Sequence, residues 1–278
     1  MLVRRAHEGP GRGGSAIMAP MRLQLLSDLH LETEPFDPEP APGAECLVLA
    51  GDIDASWAAL ERFADWPVPV LMVAGNHEFD GRDLDAALVG LRERTAALGI
   101  RLLERESCLM TGDDGRVVRV LGTTRWCDFD LFGATQREKA MRAGEYFVRV
   151  QRSTRHGQPF DAAAVREEAL ACRDWLEREL ADPPRGRWAA TLVVTHFAPS
   201  GRSADPRYGR QPGTASFCNA DDDLLARADV WLHGHLHCRH DYAVPRPGAI
   251  PTQVVCQARG LVHKDEHLGL EPLRLISV

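Results

Sequence analysis

Very little in this chain is periodic, one-signed or continuously apolar. Its 24 glycines and 18 prolines follow no fixed period, which excludes collagen-like and low-complexity architectures. No apolar run approaches the ~18 residues of a membrane-crossing helix, so no membrane association is expected. The seven cysteines, at 46, 108, 127, 172, 218, 238 and 256, are odd in number and include no C-x-x-C pair. That usage argues against a disulfide framework and for a reducing, cytoplasmic compartment. A basic excess is missing too: the net charge is −7. A broad polynucleotide-binding face is therefore not expected, although a local basic groove stays open. Residues 1–20, MLVRRAHEGPGRGGSAIMAP, are basic but lack the apolar stretch of a signal peptide. They read as a flexible extension ahead of a single domain over 21–278, with Met18 or Met21 as the start of the folded chain. What is present is 44% hydrophobic residues in 278, enough for one large core and too apolar for disorder at this charge.

The apolar residues fall in short runs, each ending in a polar knot. Arg22–Ser27 runs into Asp28-Leu29-His30, Cys46–Ala50 into Gly51-Asp52, and Val68–Ala74 into Gly75-Asn76-His77-Glu78. Later, Thr191–Thr195 runs into His196, and Asp229–Leu232 into His233-Gly234-His235. Such Val- and Leu-rich runs bounded by Gly or Asp predict buried strands. Between them lie helical periods: Leu84, Leu88, Leu91, Thr95 and Leu98 share a face, as do Val165, Ala169, Cys172, Leu176 and Leu180. Asp161 is placed to cap the second helix, and Asp182-Pro183-Pro184 to end it. Strands alternating with helices predict an α/β protein. The charged segment 135–158 reads as a helical insertion near the site.

Ligand-bearing loops of α/β folds converge at the carboxyl ends of strands. Five strand ends here bring Asp28, His30, Asp52, Asn76, His77, His196, His235 and His237. Oxygen and imidazole donors together suit Mn, Fe or Zn better than Ca. Residues i and i+2 of an extended chain point to one side, so Asp28 and His30 can grip one ion, as can His235 and His237. Two ions ~3.5–4 Å apart need a bridging anion, and Asp52 is the natural candidate. On spacing alone one ion takes Asp28, His30, Asp52 and one late histidine. The other takes Asp52, Asn76, His196 and the remaining late histidine. Singly these motifs are commonplace, since Asp-Leu-His and Gly-Asp also occur in ordinary turns. Their order, each after an apolar run, and their use of a scarce residue (11 His in the chain) carry the inference.

In that order, DxH…GD…GNHE…H…GHxH, the chain resembles the calcineurin-like metallophosphoesterase superfamily from about Leu25 to Arg259. The resemblance implies two mixed β-sheets packed as a sandwich flanked by helices, with a two-metal site at one edge. It implies hydrolysis of phosphate monoesters or diesters, with a metal-bridged hydroxide as nucleophile. Asp28, His30, Asp52 and His237 would hold the first metal; Asp52, Asn76, His196 and His235 would hold the second. His77 would be the acid beside the substrate phosphate, oriented by Glu78. Leu121–Trp126, Thr195–Ser200 and Val230–His235 are similar to a bacterial branch in which an Asp follows the first segment, here Asp128. That branch commonly has His-His at His196-Phe197 and Asn-Pro-Arg-Gly at Gln257–Gly260. The Tyr that purple acid phosphatases place three residues after the bridging Asp is Ala55 here, so no Tyr-to-iron colour is expected.

Arg125, Arg202, Arg207 and Arg259 lie in loops near the motifs and are candidates to clamp a second phosphate or an anionic leaving group. The alternative for each is a solvated surface arginine. Tyr208 and Trp126 are candidates to stack on a ring, with core packing favoured for Trp126. His233 and Asp54 are candidates to orient ligands. Cys238 is left out, because a thiolate breaks the nitrogen–oxygen donor pattern. The expected substrate is a phosphorylated small molecule. One rival is a nuclease or cyclic-nucleotide phosphodiesterase with the same metals, weakened for polynucleotides by the acidic charge. The other is a non-catalytic scaffold, which the complete ligand set and the retained His77 disfavour.

Overall fold

The run Cys46–Ala50 shows how the layers form. All five side chains are buried: Cys46, Val48 and Ala50 join the core on one face, while Leu47 and Leu49 join a second core on the other. A strand covered on both faces reads as a continuous apolar run. The computed structural model describes residues 20–182 and 186–278. In chain order it has β1 (Arg22–Leu26), β2 (Cys46–Ala50), β3 (Val70–Val73), α1 (Leu84–Ala97), β4 (Ile100–Leu102), β5 (Glu106–Thr111), β6 (Val117–Thr123) and α2 (Arg137–Gln151). There follow β7 (Thr154–Arg155), β8 (Gln158–Pro159), α3 (Ala162–Ala181), β9 (Ala190–Thr195), α4 (Asp222–Leu225), β10 (Val230–His233), β11 (His240–Val244), β12 (Thr252–Cys256) and β13 (Leu275–Ser277).

One sheet has the order β13-β1-β2-β3-β4, the other β11-β12-β10-β9-β6-β5. Antiparallel edges (β13 on β1, β11 on β12, β5 on β6) frame parallel interiors, so both sheets are mixed. Leu23, Leu25, Val48 and Val73 meet Val120, Leu192, Val194 and Leu232 between them. Behind the first sheet, α1 buries Leu84, Ala87, Leu91 and Thr95. Behind the second, Leu176, Leu180 and Leu224 pack on Val193 and Trp231. This is the sandwich of two mixed sheets flanked by helices that the motif order implied.

Local signals act where they were read. The Asp161 carboxylate accepts the Ala163 and Ala164 N–H groups at 3.0 and 2.9 Å and starts α3. Asp182 stands just after the helix; Pro183 and Pro184 lie outside the described residues, as does the expected extension apart from Pro20. Residues 135–158 hold α2 and most of the β7–β8 hairpin, and α2 packs on residues 212–216 and on α3. All seven cysteines are free thiols. Among the described residues no helix is long and apolar enough to cross a membrane.

The loop after β6 overturns one expectation. Arg125 is fully buried, and all five of its N–H donors are used. They go to both Asp221 oxygens and to Asp128 at 2.8 Å, and to the Trp126 and Ala169 carbonyls at 3.0 Å. Asp221 also pairs with Arg173 at 2.5 Å, and the Asn219 side chain accepts the Asp128 N–H. Arg125 therefore has nothing left for a phosphate, and Asp128 holds Arg125 rather than a ligand. The cluster ties residues 125–130 to residues 219–221 and to α3. Removing one partner of a fully buried ion pair typically costs about 3–5 kcal/mol. Asp221→Ala should lower the unfolding free energy by that amount in a urea titration, with the metal content of the folded fraction unchanged.

Candidate metal centre

The carboxyl ends of β1, β2, β3, β9 and β10 meet at one edge of the sandwich. Asp28 and His30 follow β1, Asp52 follows β2, Asn76 and His77 follow β3, His196 follows β9, and His235 and His237 follow β10. Two groups of donors result. Asp28, His30 and His237 offer ligand atoms within 4.8 Å of one another, and so do Asp52, His196 and His235. Asn76 joins the second group: its Oδ1 lies 3.2 Å from His196 Nε2, which also faces Asp52 Oδ2 at 3.2 Å. His30 Nε2 and His237 Nε2 stand 3.0 Å apart.

Groups behind the ligands decide which nitrogen faces inward. His196 Nδ1 lies 2.8 Å from the Ala50 carbonyl, so it carries the hydrogen and leaves the Nε2 lone pair in the site. His30 Nδ1 is 3.2 Å from Glu32, and His237 Nδ1 is 2.7 Å from Glu266. Both therefore present Nε2 in the same way. Burial alone would raise Glu266, but the bonds from His237 and the Leu261 N–H bring it down to about 2. Burial and the neighbouring His196 keep His235 well below the usual histidine range, hence neutral. The Asp28 carboxylate accepts the His235 N–H through both oxygens, at 2.9 and 3.0 Å.

His77 lies beside both groups. Its backbone N–H donates to Asp52 Oδ1 at 2.9 Å, and its Nδ1 meets Asp80 Oδ2 at 2.6 Å. Its ring stands edge-on to His30 with centroids 5.1 Å apart. Burial opposes a charge there, but Asp52 and Asp80 outweigh it and raise His77 to about 10.

Glu78 is not the residue that orients His77. Its carboxylate is turned away, onto the N–H groups of Gly75, Asp52 and Ile53 at 2.6, 2.9 and 2.7 Å. It shapes the backbone under the bridging candidate, and Asp80 holds the histidine instead. Arg259 is also a correction: it donates to the Leu29 and Pro35 carbonyls at 2.7 and 3.2 Å and stacks on Phe36. Arg202 binds the Ala243 carbonyl and covers Tyr242. Arg207 is half-exposed and paired with Asp205. His233 lies between Ser203 Oγ and the Gly234 carbonyl, both at 3.0 Å, and burial pushes it down to about 3. It supports the turn into His235 and touches no donor atom of the two groups. Asp54 caps its own turn through the Ser56 and Ala59 N–H groups. Tyr208 is exposed at the cavity rim, whereas Trp126 is buried against Phe79, Phe160 and Phe197. Cys238 belongs to neither group.

Spacing did not point to Glu32, Asp80 or Glu266. Glu32 and Asp80 have a local signal in retrospect, two residues after His30 and three after His77, but Glu266 has none. The donor set fits a pair of cations. Lone pairs of His30 and His237 face one another, and His196 faces two oxygens; such an array is repulsive unless protons or cations lie between its members. Imidazole and carboxylate donors without a thiolate suit Mn, Fe or Zn.

Imidazole and carboxylate donors gathered at the strand ends of two mixed sheets define a metal-binding site in an α/β protein. The chain belongs to the calcineurin-like phosphoesterase family, whose model matches residues 22–239, and it is a hydrolase acting on phosphate esters. It is similar to a UDP-2,3-diacylglucosamine hydrolase of Stenotrophomonas maltophilia (strain K279a), with 26% identity over 258 residues, covering 84% of this chain and 90% of that protein. The crystal structure of a phosphopantetheinyl hydrolase from Mycobacterium tuberculosis shares the fold. Its TM-score is 0.69 at 18% identity, over 94% of this chain and 97% of that one.

Two outcomes test this site. Although burial lowers it, His196 is raised to about 9 by Asp52. Below that pH a cation must displace its proton, so affinity should rise about tenfold per pH unit up to pH ~9. Calorimetry in two buffers of different ionisation enthalpy should show matching proton release. Glu266→Gln replaces the charged partner of His237 with a neutral acceptor and should weaken Mn affinity about 10–100-fold, measured by the same titration.

Proposed function

We propose that this protein hydrolyses phosphate monoesters or diesters of small molecules at a pair of divalent cations, Mn, Fe or Zn. Asp28, His30, Asp52 and His237 would hold one cation, and Asp52, Asn76, His196 and His235 the other. The observation that carries this reading is the convergence of imidazole and carboxylate ligand atoms in two adjacent groups, with His77 beside both. Bound cations would neutralise phosphoryl oxygens and make a water acidic enough to attack phosphorus.

The chain's own residues then have distinct tasks. The imidazoles of His30, His196 and His237 are fixed by Glu32, Ala50 and Glu266, so ligand geometry is set before substrate arrives. Attack forms a phosphorus–oxygen bond as the ester bond breaks, and the leaving alkoxide needs a proton. His77 is the donor: raised to about 10, it is protonated at neutral pH, and Asp80 fixes its Nδ1 so that Nε2 is the delivering atom. Asp80 is a positioning residue, since it acts through His77. One ammonium, that of Lys264, is the lysine or arginine charge among the cavity-lining side chains, and a polynucleotide needs many such charges.

The experiment is a phosphoester panel run with each metal, with bound metal quantified per chain. His77→Ala should lower kcat about 10²–10⁴-fold while metal content stays the same; unchanged turnover rejects the assignment. Asp80→Asn removes one influence that raises His77, so the alkaline fall in kcat should begin at lower pH.

A further inference from the structure

The two donor groups open into a cavity of about 760 Å³ whose lining is largely apolar. Part of that lining is a wall supplied by α2, where Tyr146, Phe147 and Val150 stand 69%, 41% and 60% exposed. Elsewhere on this helix the polar side is charged, with Arg142 paired to Glu138 and Arg149 to Glu145, while Met141 and Val148 pack into the core. Tyr146 and Val150, one turn apart, serve neither purpose. Of the ten large hydrophobic side chains exposed among the described residues, these three and Tyr208 line this one cavity. Exposed apolar surface gathered at one place marks a binding surface.

A sequence of rings joins this wall to the metal ligands. Phe147 lies edge-on to Phe217 at 5.0 Å, and Phe217 stacks on His235 at 5.1 Å with a 27° interplanar angle. His235 also meets Phe197 at 4.1 Å. A phosphoryl group held at His235 therefore has hydrocarbon beside it. The charges of the lining point the same way: besides the histidines and Asp52, the described lining residues set the carboxylates of Glu32, Asp80, Asp205 and Glu266 against one ammonium, that of Lys264. A second or third phosphate would meet carboxylates there, whereas an alkyl group would lose only water contact.

We propose that the phosphate ester cleaved here carries an apolar chain, alkyl or acyl, that lies along the wall formed by Tyr146, Phe147, Val150 and Phe217. The inference rests on the phosphoesterase reading above and adds the class of substrate to it.

The test is a chain-length series on the full-length, Mn-loaded protein. Calorimetry gives Kd for methyl-, butyl- and octylphosphonate, and kcat/KM is measured for the matching alkyl phosphates. A fully buried methylene contributes about fourfold; a wall open to water on one side gives less, about 10–100-fold from methyl to octyl. The double variant Tyr146→Ser/Val150→Ser, at two exposed positions and checked for an unchanged circular dichroism spectrum, should collapse the octyl-to-methyl ratio towards one. A flat series in the unmodified protein overturns the proposal, and so does a ratio that survives the double variant. Tightening of the phosphonates without hydrolysis of any ester would sink the catalytic reading and uphold the apolar wall. Hydrolysis indifferent to chain length would do the reverse.

Discussion

Asp28, His30, Asp52, His235 and His237 all stand on left-handed backbone, with φ between 46° and 72°. For a residue with a Cβ that region typically costs about 1–3 kcal/mol per position, and Asp and His tolerate it better than most. The turns that hold these residues are tied across the two sheets by the His235 N–H on Asp28 and His196 Nδ1 on the Ala50 carbonyl, and they brace one another within each sheet. Asp28 N–H donates to Gly51 O at 3.0 Å, His30 N–H to Asp52 O at 3.2 Å, and Gly234 N–H to His196 O at 3.0 Å. Space between the turns is so small that a Cβ at Gly234 would sit 2.6 Å from Asp28 Oδ2 and 2.9 Å from Ala50 O. Donor atoms can face one another at about 3 Å because this network does not relax. The strands, cores and helices matter to the chemistry chiefly as the frame that keeps five strained ligand positions, at the ends of three strands, in register.

What the sequence discloses follows from where each residue sits. Strands β1, β2, β3, β9 and β10 are buried on both faces, apart from Arg22, and end in the ligands, so run and motif announce each other. β11, HDYAV, alternates between half-buried and exposed positions at a sheet edge, and β13 is three residues that pair Ser277 with Arg22. Their places are decided by partners distant in the chain, which local pattern does not encode. The exchange of roles between Glu78 and Asp80 has a local cause. Residues 77–79 form a 3₁₀ turn, in which i and i+3 eclipse while neighbours diverge. Asp80 thus comes over His77, and the adjacent Glu78 is carried beneath Asp52. For His237 the partner, Glu266, comes from a loop 29 residues on, and no spacing rule reaches it.

The arginines carry a different lesson. A loop arginine near a phosphate-binding motif looks the same in sequence whether it faces solvent, substrate or the interior. Arg125 has Asp128 at i+3, but its stronger partner, Asp221, is 96 residues away. Burying a guanidinium is tolerable only when its donors are all met, and five bonds meet them here. Those bonds also fix the segment carrying Trp126, Cys127 and Phe129, all of which line the cavity. Arg259 does the same for residues 29–36, immediately after the first ligands. Both residues affect the site through loop position and not through contact with an anion.

Ligands and cavity wall come from different parts of the fold: strand ends supply the first, and α2 with residues 126–129 and 211–217 supplies much of the second. That division alone would let the wall change without disturbing the ligands. It does not hold completely, because His235 is in ring contact with both Phe197 and Phe217. Those rings cover part of one imidazole ligand, and electrostatic interactions strengthen where water is excluded. A smaller residue at Phe217 would remove hydrocarbon from the substrate wall and admit water beside His235 in the same stroke. Substrate preference and ligand electrostatics are therefore coupled at this one histidine, and changes confined to Tyr146 and Val150, which lie beyond it on α2, are the ones that leave the coupling out.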